Sequence, residues 1–463
     1  MTDTVTTTTD AADLERRGWP RRVARWIVRR YYPHMEIIGA ERIPQSGPIV
    51  LCSNHSNSML DPVIIGITAR RPVRFMAKAP LFEFPVFGPL MFALGMVPAF
   101  RGMDDTKQVR RNLESLDIGA KILLGGHAMG IFPEGMSTDR AHLEKVRTGA
   151  ARMALQAVDE GAGRVQIVPI GVAYERKEAF RSAVLVRVGE PIQVADLLID
   201  HENSIPRARR AVTQELESRL KEVVIHLEEP EWEPWLDDLE SLIPPQGDAA
   251  SAREAPTGPL WRRKRIADAI NYYLKNDRPR AESVAAEVEA YRENVRAAGL
   301  RVDSPVLERS RFKIAWTLLW GVLWLTLLFF PALLGTLFHL VPFVIVRRIA
   351  SWMDQPGRVT TATHRLMFGV PIYLLWYALV ALALFVYAPP VTLAWLLVAP
   401  FAGALAMYYW RKGREEAFLL YHEVRAIIGG KQLQHLREQL GALRRRLTRL
   451  SDEYAEVSPP VEP

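Results

Sequence analysis

From about residue 35 to residue 194, short apolar runs alternate with stretches long enough to be helices. Runs rich in β-branched and apolar residues at 49–52, 73–77, 129–132, 166–174 and 184–188 predict strands, and segments at 61–68, 106–116 and 147–158 predict helices. Strands separated by helix-length connections predict an α/β domain with a largely parallel central sheet. Past residue 207 a helical spacing runs through Leu216, Leu220, Val223 and Leu227. Residues 228–259, rich in Pro, Glu, Asp and Ala, read as a linker with a few anchoring tryptophans. Residues 260–300 read as polar helix broken near Asp277-Arg278-Pro279.

The pattern then changes. Residues 314–346 are almost wholly apolar, interrupted by Pro331, Gly335, His339 and Pro342, and two more apolar runs follow at 366–387 and 391–410. The latter two approach the roughly 20 residues that span hydrocarbon. Their joint, Ala388-Pro389-Pro390, is so short that they form a hairpin, which puts the loop before them and the tail after them on one side. Arg347, Arg348, Arg358 and Arg365 before the hairpin, and Arg411, Lys412 and Arg414 after it, assign that side to the cytoplasm. Arg311 and Lys313 mark the entry to 314–346 as cytoplasmic too, so this segment is expected to go in and return, turning near Pro331. A single long span is the alternative. His339 is expected to hydrogen-bond within the bundle.

The last helix carries leucines at 433, 436, 440, 443, 447 and 450 in 3–4 alternation, a coiled-coil seam. Homodimerisation through it and docking on the chain's own helices both stay open. Residues 13–32 interleave arginines with Trp19, Trp26, Ile27, Tyr31 and Tyr32, the pattern of a basic amphipathic segment at a membrane interface.

Composition narrows the class. The 463 residues, 49% hydrophobic and 24% charged, leave room for a sizeable core plus further parts. A single cysteine, Cys52, excludes an internal disulfide framework. The first ten residues lack the basic start and apolar core of a secretory signal. A net charge of +7 suits nucleic acid, anionic membrane or phosphorylated substrate alike. Because the basic residues cluster beside the apolar segments, the membrane is the expected partner and nucleic acid is not. His127 and His142 have no further ligands at metal spacing, and no Gly-rich phosphate loop is present, so no cofactor is called for.

The chemistry concentrates in Asn54-His55-Ser56-Asn57-Ser58-Met59-Leu60-Asp61-Pro62, where a predicted strand ends and a helix begins. An imidazole there can act as a general base if a carboxylate fixes its tautomer and stabilises the cation. The plainer reading makes Asp61 the N-cap of a helix with Pro62 at its first position.

Three later blocks bear on this choice: Leu94–Arg101, the Phe-Pro-Glu-Gly of residues 132–135, and Ile167-Val168-Pro169-Ile170-Gly171. In this order the four blocks resemble the glycerolipid acyltransferase superfamily, the glycerol-3-phosphate and lysophosphatidate acyltransferases. The resemblance covers roughly residues 35–200. Five residues separate His55 from Asp61, where the commoner pattern has four, and this resembles the fungal-type glycerol-3-phosphate acyltransferase branch. Met136-Ser137 departs from the family's usual continuation, so no role passes to Met136.

The resemblance implies catalytic roles for His55 as base and Asp61 as its holder. It implies that Arg101, with Lys78, binds phosphate, that Glu134 and Gly135 shape the acceptor pocket, and that Pro169 has a shape role only. It implies acyl-CoA or acyl-carrier protein as donor and glycerol 3-phosphate as acceptor, with lysophosphatidate as the alternative acceptor. A non-catalytic lipid-binding scaffold is the rival from another class. Hydrolysis by a serine route lacks a Gly-x-Ser-x-Gly elbow.

The expected architecture is an α/β acyltransferase domain followed by a helical linker, C-terminal transmembrane helices and a short coiled coil. Its expected parts are a disordered start and basic amphipathic segment at 1–34, the acyltransferase domain at 35–227, linker and polar helices at 228–312, a membrane region of two hairpins at 313–410, and a cytoplasmic coiled-coil tail at 411–463.

Overall fold

A computed structural model describes residues 18–83, 87–99, 106–243, 256–302, 304, 307, 311–353, 360–428 and 430–458. Its central sheet contains β1 (His34–Ile38), β2 (Ile49–Ser53), β3 (Val73–Lys78), β4 (Val97–Ala99), β5 (Ala128–Ile131), β6 (Gln166–Tyr174) and β7 (Ala183–Val188) in the order β1-β7-β6-β2-β5-β3-β4. A two-residue β8 (Ile192–Gln193) pairs with β6. From β6 to β4 the pairings are parallel, while β7 turns back antiparallel to β6 and carries β1 parallel to itself.

Strand β2 lies in the middle with all five residues buried, as a continuous apolar run covered on both faces requires. Its alternating side chains divide between two cores. Val50 and Cys52 face α4 (Thr106–Leu124), α5 (Gly149–Asp159) and α7 (Ile205–Val223), packing with Leu123, Met153 and Leu216. Ile49 and Leu51 face α1 (Trp19–Tyr31) and α2 (Leu60–Ala69), packing with Val28, Tyr32, Ile64 and Ile65. Two glycines make room for close neighbours, one on the adjacent strand and one on a covering helix. A Cβ on Gly130 would lie 2.2 Å from the Phe75 ring, and one on Gly171 would lie 2.1 Å from the carbonyl oxygen of Val223 at the end of α7.

Two short elements of the domain carried no clear periodic signal, β4 and α3 (Phe87–Ala93). Helix α6 (Val194–Asp200) connects β8 to α7.

Residues 228–243 are structured, not a linker. They include α8 (Glu233–Leu242), whose Leu236, Leu239 and Leu242 enter a second core with α9 (Gly258–Asn276) and α10 (Arg278–Ala297). Leucines at spacing 3 are a helical stripe, flanked by Asp238 and Glu240, which pair with Arg292 of α10 and Arg263 of α9. The break at Asp277 is real: its side chain accepts the backbone N–H of Arg280 and caps α10.

The six seam leucines of α14 (Gly430–Val457) are buried in this same core, against Ile266, Ile270, Val284 and Val288. Of the two occupants open to the seam, the structure seats it on the chain's own helices.

The expected turn near Pro331 is absent. Residues 314–346 lie inside one continuous helix, α11 (Arg311–Met353), with Pro331 and Pro342 within it. Each proline removes one backbone donor, and packing on neighbouring helices sustains such a helix. α12 (Thr361–Tyr387) and α13 (Pro389–Ile428) follow, joined at Ala388. Along α13 the contacts with α11 run in reverse: Glu416 meets Gly321, and Ala402 meets Gly335. Since α13 continues to Ile428, no break separates membrane region from tail at residue 410. Among the described residues, α11, α12 and α13 contain three stretches long and apolar enough to cross a membrane, Leu318–Met353, Thr361–Tyr387 and Pro389–Ala417. His339 bonds within the bundle, its Nδ1 to the carbonyl of Gly335 and its Nε2 to the Tyr377 hydroxyl, each at 2.8 Å.

Both flanks of α11 return to the folded domains. Leu307, just before α11, lies in the helical core that α14 completes. Ala362 and Leu366 of α12 pack into the core of the sheet domain, and Arg365 donates to the carbonyl of Glu178 at 2.8 Å.

Candidate active site

His55 follows β2, at the carboxyl end of the parallel strands where α/β sites form. Its loop folds back on itself, with Ser58 in the left-handed region at φ 42°, and this returns Asp61 beneath the histidine. Asp61 is fully buried, and its Oδ2 lies 2.8 Å from His55 Nδ1. The same oxygen accepts the backbone N–H groups of Ser56 at 2.9 Å and Asn57 at 2.8 Å, and Oδ1 accepts the Tyr174 hydroxyl at 2.5 Å. Every other partner of Asp61 is thus a donor, so Asp61 acts as acceptor and the imidazole carries its proton on Nδ1. Nε2 is left as the basic nitrogen. Asp61 does not cap α2: the N-cap is Met59, and Pro62 is the third helical residue.

Glu134 joins the dyad from the other side. It is 2% exposed; its Oε1 accepts the His55 backbone N–H at 3.0 Å and its Oε2 accepts that of Glu144 at 3.1 Å. Burial pushes its carboxyl up to about 7, against the opposing pull of these two donors. Gly135 sits at φ +75°, and its N–H closes the turn onto the carbonyl of Phe132 at 3.0 Å. A side chain there would be strained and would crowd Arg147, whose Nε bonds the Glu134 carbonyl at 3.2 Å. Thr138 N donates to the carbonyl of His55 at 2.9 Å, so the Glu134 loop and the His55 loop hold each other by this backbone bond and by the His55 N–H on the Glu134 carboxylate.

Several members of the site carried no sequence assignment. Phe132 stacks on His55 with ring centroids 3.9 Å apart, which fixes the imidazole plane. Asn54 clips the loop to β6 by accepting from Val172 N at 2.8 Å and donating to its carbonyl at 3.0 Å. Tyr32 of the α1 boundary accepts from Asn57 at 2.8 Å. Burial and the Asp61 charge raise the Tyr174 hydroxyl well above the usual phenol range, so it stays a donor. Phe132 was visible as part of Phe-Pro-Glu-Gly, and Tyr174 closes the apolar run of β6; neither has a local signal of its role.

The remaining expected residues are placed unevenly. Lys78 ends β3, exposed at the same carboxyl edge of the sheet. Arg101 lies outside the described residues. Pro169 sits within β6 opposite Cys52, three positions before His55, and takes no place in the cleft. That cleft has a volume of about 20 Å³ and is bordered by His55, Glu134, Thr138, Arg140, His142 and Ile225, among others. His142 Nδ1 lies 2.7 Å from the carbonyl of Leu227, and His226 accepts Leu143 N at 2.9 Å. Burial pushes the His226 imidazole down to about 4, so it is a neutral structural acceptor. Among the described residues no group of side chains has the makings of a metal site.

A family model described as Acyltransferase matches residues 34–173, the stretch that contains β1 to β5, all of β6 but its last residue, His55, Asp61 and Glu134. Residues 34–173 are an acyltransferase-family domain. Among its relatives, glycerol-3-phosphate O-acyltransferase 1 of Saccharomyces cerevisiae is 37% identical over 95 residues, 20% of this chain and 12% of that protein. A 1-acyl-sn-glycerol-3-phosphate acyltransferase of Borreliella burgdorferi is 26% identical over 26% of this chain and 46% of its own length. An uncharacterised acyltransferase of Schizosaccharomyces pombe is 21% identical over 86% of this chain and 74% of its own. The similarity to the first of these relatives is thus confined to a small part of its length. In the acyltransferase domain, the match ends one residue before Tyr174.

Proposed function

We propose that this protein is a membrane-bound O-acyltransferase that transfers an acyl group from a thioester to the hydroxyl of glycerol 3-phosphate. The observation that carries the reading is the His55–Asp61 pair, with Nδ1 held by a fully engaged carboxylate and Nε2 left to take a proton. In the step proposed, Nε2 removes the proton of the acceptor hydroxyl as its oxygen attacks the thioester carbonyl. The tetrahedral adduct collapses, the C–S bond breaks, and the imidazolium returns the proton to the departing thiolate. General-base assistance of this kind contributes about 10²–10⁴ in rate. Asp61 holds the cation formed on His55, Phe132 keeps the ring in plane, and Glu134 with Gly135 shapes the acceptor side. Arg101, with Lys78 at the edge of the sheet, binds the phosphate. Acyl-CoA or acyl-carrier protein is the donor.

Lysophosphatidate is the second acceptor, favoured by one feature: the apolar α12 enters the core of the acyltransferase domain itself, which brings lipid to the domain. The discriminating assay offers radiolabelled glycerol 3-phosphate and lysophosphatidate side by side to the solubilised full chain with acyl-CoA, and repeats it with His55→Ala. Label entering lysophosphatidate, and lost in the variant, supports the first acylation. Transfer to the lysolipid alone moves the protein to the second step. No transfer to either from any thioester refutes the enzymatic reading.

The membrane reading follows from chain parity. The helical core contains Leu307, from before the apolar helices, and the α14 leucines, from after them. The number of complete crossings between them is therefore even, although three helices are long enough. Met353 and Ala362 are nine positions apart, a reach of about 32 Å at most, short of the roughly 40–45 Å of a bilayer with its headgroups. Ala362 is packed in the sheet domain, so α11 begins and ends on the protein's side of the membrane without completing a crossing. The basic flanks on that side, Arg347 and Arg348 with Arg411 and Lys412, make it the cytoplasmic side. Exposed Trp19 and Trp26 on α1, beside Arg22 and Arg29, add a second contact with the same surface.

A further inference from the structure

Lys177 lies in the turn between β6 and β7 and is only 8% exposed. An ammonium is buried at a cost unless it is paired and hydrogen-bonded, so its partners show what it is there to hold. Its Nζ donates to the carbonyl of Ser56 at 3.1 Å, 121 positions earlier in the His55 loop, and pairs with Asp139 in the loop that follows Glu134. Ser56 and the two chain neighbours of Asp139, Thr138 and Arg140, border the His55 cleft. Lys177 and Asp139 do not border it. One buried cation thus joins two walls of the cleft without entering it.

The turn that carries Lys177 is itself held in place. The Lys177 carbonyl accepts the Tyr32 hydroxyl, and the Glu178 carbonyl accepts the Tyr31 hydroxyl at 2.9 Å and a guanidinium N–H of Arg365 at 2.8 Å. Residues at the end of α1 and on α12 therefore fix the backbone that bears the ammonium. In the His55 loop, the peptide between Ser56 and Asn57 is held at both ends, its N–H by Asp61 and its carbonyl by Lys177.

We propose that Lys177 is a positioning residue for the reaction at His55, tying Ser56 to Asp139 so that the His55 loop and the Glu134 loop keep their spacing. Near-attack geometry is demanding, and a misplacement of about 1 Å costs about 10² in rate. Lys177 touches no substrate in this role, so its loss lowers kcat and leaves KM nearly unchanged. Stability is a poor guide to such a residue, because Asp139 is partly exposed and pairs of that kind contribute little. The kinetic part rests on the acyl transfer proposed above; the tie between the loops does not.

The test follows the full chain in phosphatidylcholine nanodiscs by hydrogen–deuterium exchange with mass spectrometry, and measures acyl transfer on the same preparations. In Lys177→Met, peptides covering residues 53–60 and 134–143 are expected to exchange about tenfold faster, the change that follows loss of a hydrogen bond to a charged group. Peptides of α10 are expected to keep their wild-type rates, which shows that the variant is folded. kcat is expected to fall by at least about tenfold, with KM for the acceptor within about twofold of wild type.

Asp139→Ala breaks the pair from its partly exposed side, where folding is not at risk. It is expected to quicken exchange in 134–143 and to lower kcat by less than Lys177→Met does. In the double variant kcat should match Lys177→Met within about twofold, since both residues act through one link. Wild-type exchange in both loops of Lys177→Met overturns the proposal, whatever the chain acylates. A wild-type kcat, a rise in KM alone, or losses that multiply in the double variant overturn it as well. If wild type transfers no acyl group while Lys177→Met loosens both loops, the reading of the reaction falls and the tie between the loops stands.

Discussion

The Tyr174 hydroxyl donates to Oδ1 of Asp61 at 2.5 Å, on the carboxylate whose other oxygen holds His55, although the two residues are 113 positions apart. The bond saturates a buried carboxylate that would otherwise keep one oxygen unpaired. It also ties the His55 loop to the end of β6, so the ring's position depends on the strand next to its own.

Removing that hydroxyl has a defined consequence. Tyr174→Phe leaves a buried carboxylate oxygen without its donor, a loss of about 1–3 kcal/mol in stability. If the proposed chemistry holds, kcat falls while KM for glycerol 3-phosphate changes little, because the residue positions His55 through Asp61 and touches no substrate. Asp61→Asn is more severe, since its N–H₂ donor must face either the Tyr174 hydroxyl or the three donors on the His55 side; a drop in kcat of about 10³–10⁴ is expected. A Tyr174→Phe enzyme with full kcat would show that the Ser56 and Asn57 backbone donors hold Asp61 unaided.

Glu134 imposes a pH dependence on stability. Its carboxyl is held at about 7 in the fold, above the ordinary 4.5. The folded state therefore binds the proton more tightly than the unfolded one. The associated stability is fully present below about pH 4.5 and is lost as the pH rises through about 7, a change on the order of 3 kcal/mol. Melting curves between pH 4.5 and 8 should show wild type declining more than Glu134→Gln, which has no proton to exchange. Parallel curves would mean that the two backbone donors, not burial, control the group. The variant should be destabilised throughout, because an amide N–H₂ then faces the N–H of His55 or of Glu144.

The parity of the apolar helices can be read with thiol reagents. The single cysteine, Cys52, is buried, with its thiol pushed up by that burial, so it contributes no background. Ser351→Cys, near the end of α11, and Ser458→Cys, beyond α14, are expected to react with a membrane-impermeant maleimide from the same face, the cytoplasmic one. Reaction of Ser351→Cys from the opposite face would restore a full crossing by α11.

Packing at Gly171 predicts a stability defect without any chemical one. Gly171→Ala places a methyl 2.1 Å from a backbone oxygen of α7, and a backbone atom cannot rotate away. A loss at or above the roughly 1–3 kcal/mol of an overpacked core is expected, read as a lower melting temperature. By contrast, Leu440→Ala on the seam should cost about 2–5 kcal/mol within one chain and leave the subunit count in light scattering unchanged, because its partners are α8–α10.

The sequence reported most where one residue's surroundings follow from its neighbours in the chain. Runs rich in β-branched and apolar residues marked β2, β5 and β6 as strands, and the blocks around His55 and Glu134 marked the carboxyl ends of β2 and β5. β4 is three residues long, too short for any period to register. Residues 228–243 misled because Pro and Glu dominate the composition while three leucines at 236, 239 and 242 make the core. Pro331 misled in another way: a proline ends a helix exposed to water, but inside a packed apolar helix the lost donor is tolerated.

By itself, then, the sequence determined which residues avoid water and which carry reactive groups, because spacing along the chain encodes the buried face of each element. It could not say what covers that face. The seam leucines were legible as a stripe, yet only the tertiary structure put α8–α10 against them instead of a second copy. His55, Asp61 and Glu134 were legible as reactive groups, yet the bond from His55 N to Glu134 and the donor from Tyr174 exist only because β2 lies between β5 and β6. Strand order joins positions far apart in the chain, and no local periodicity records such a pairing.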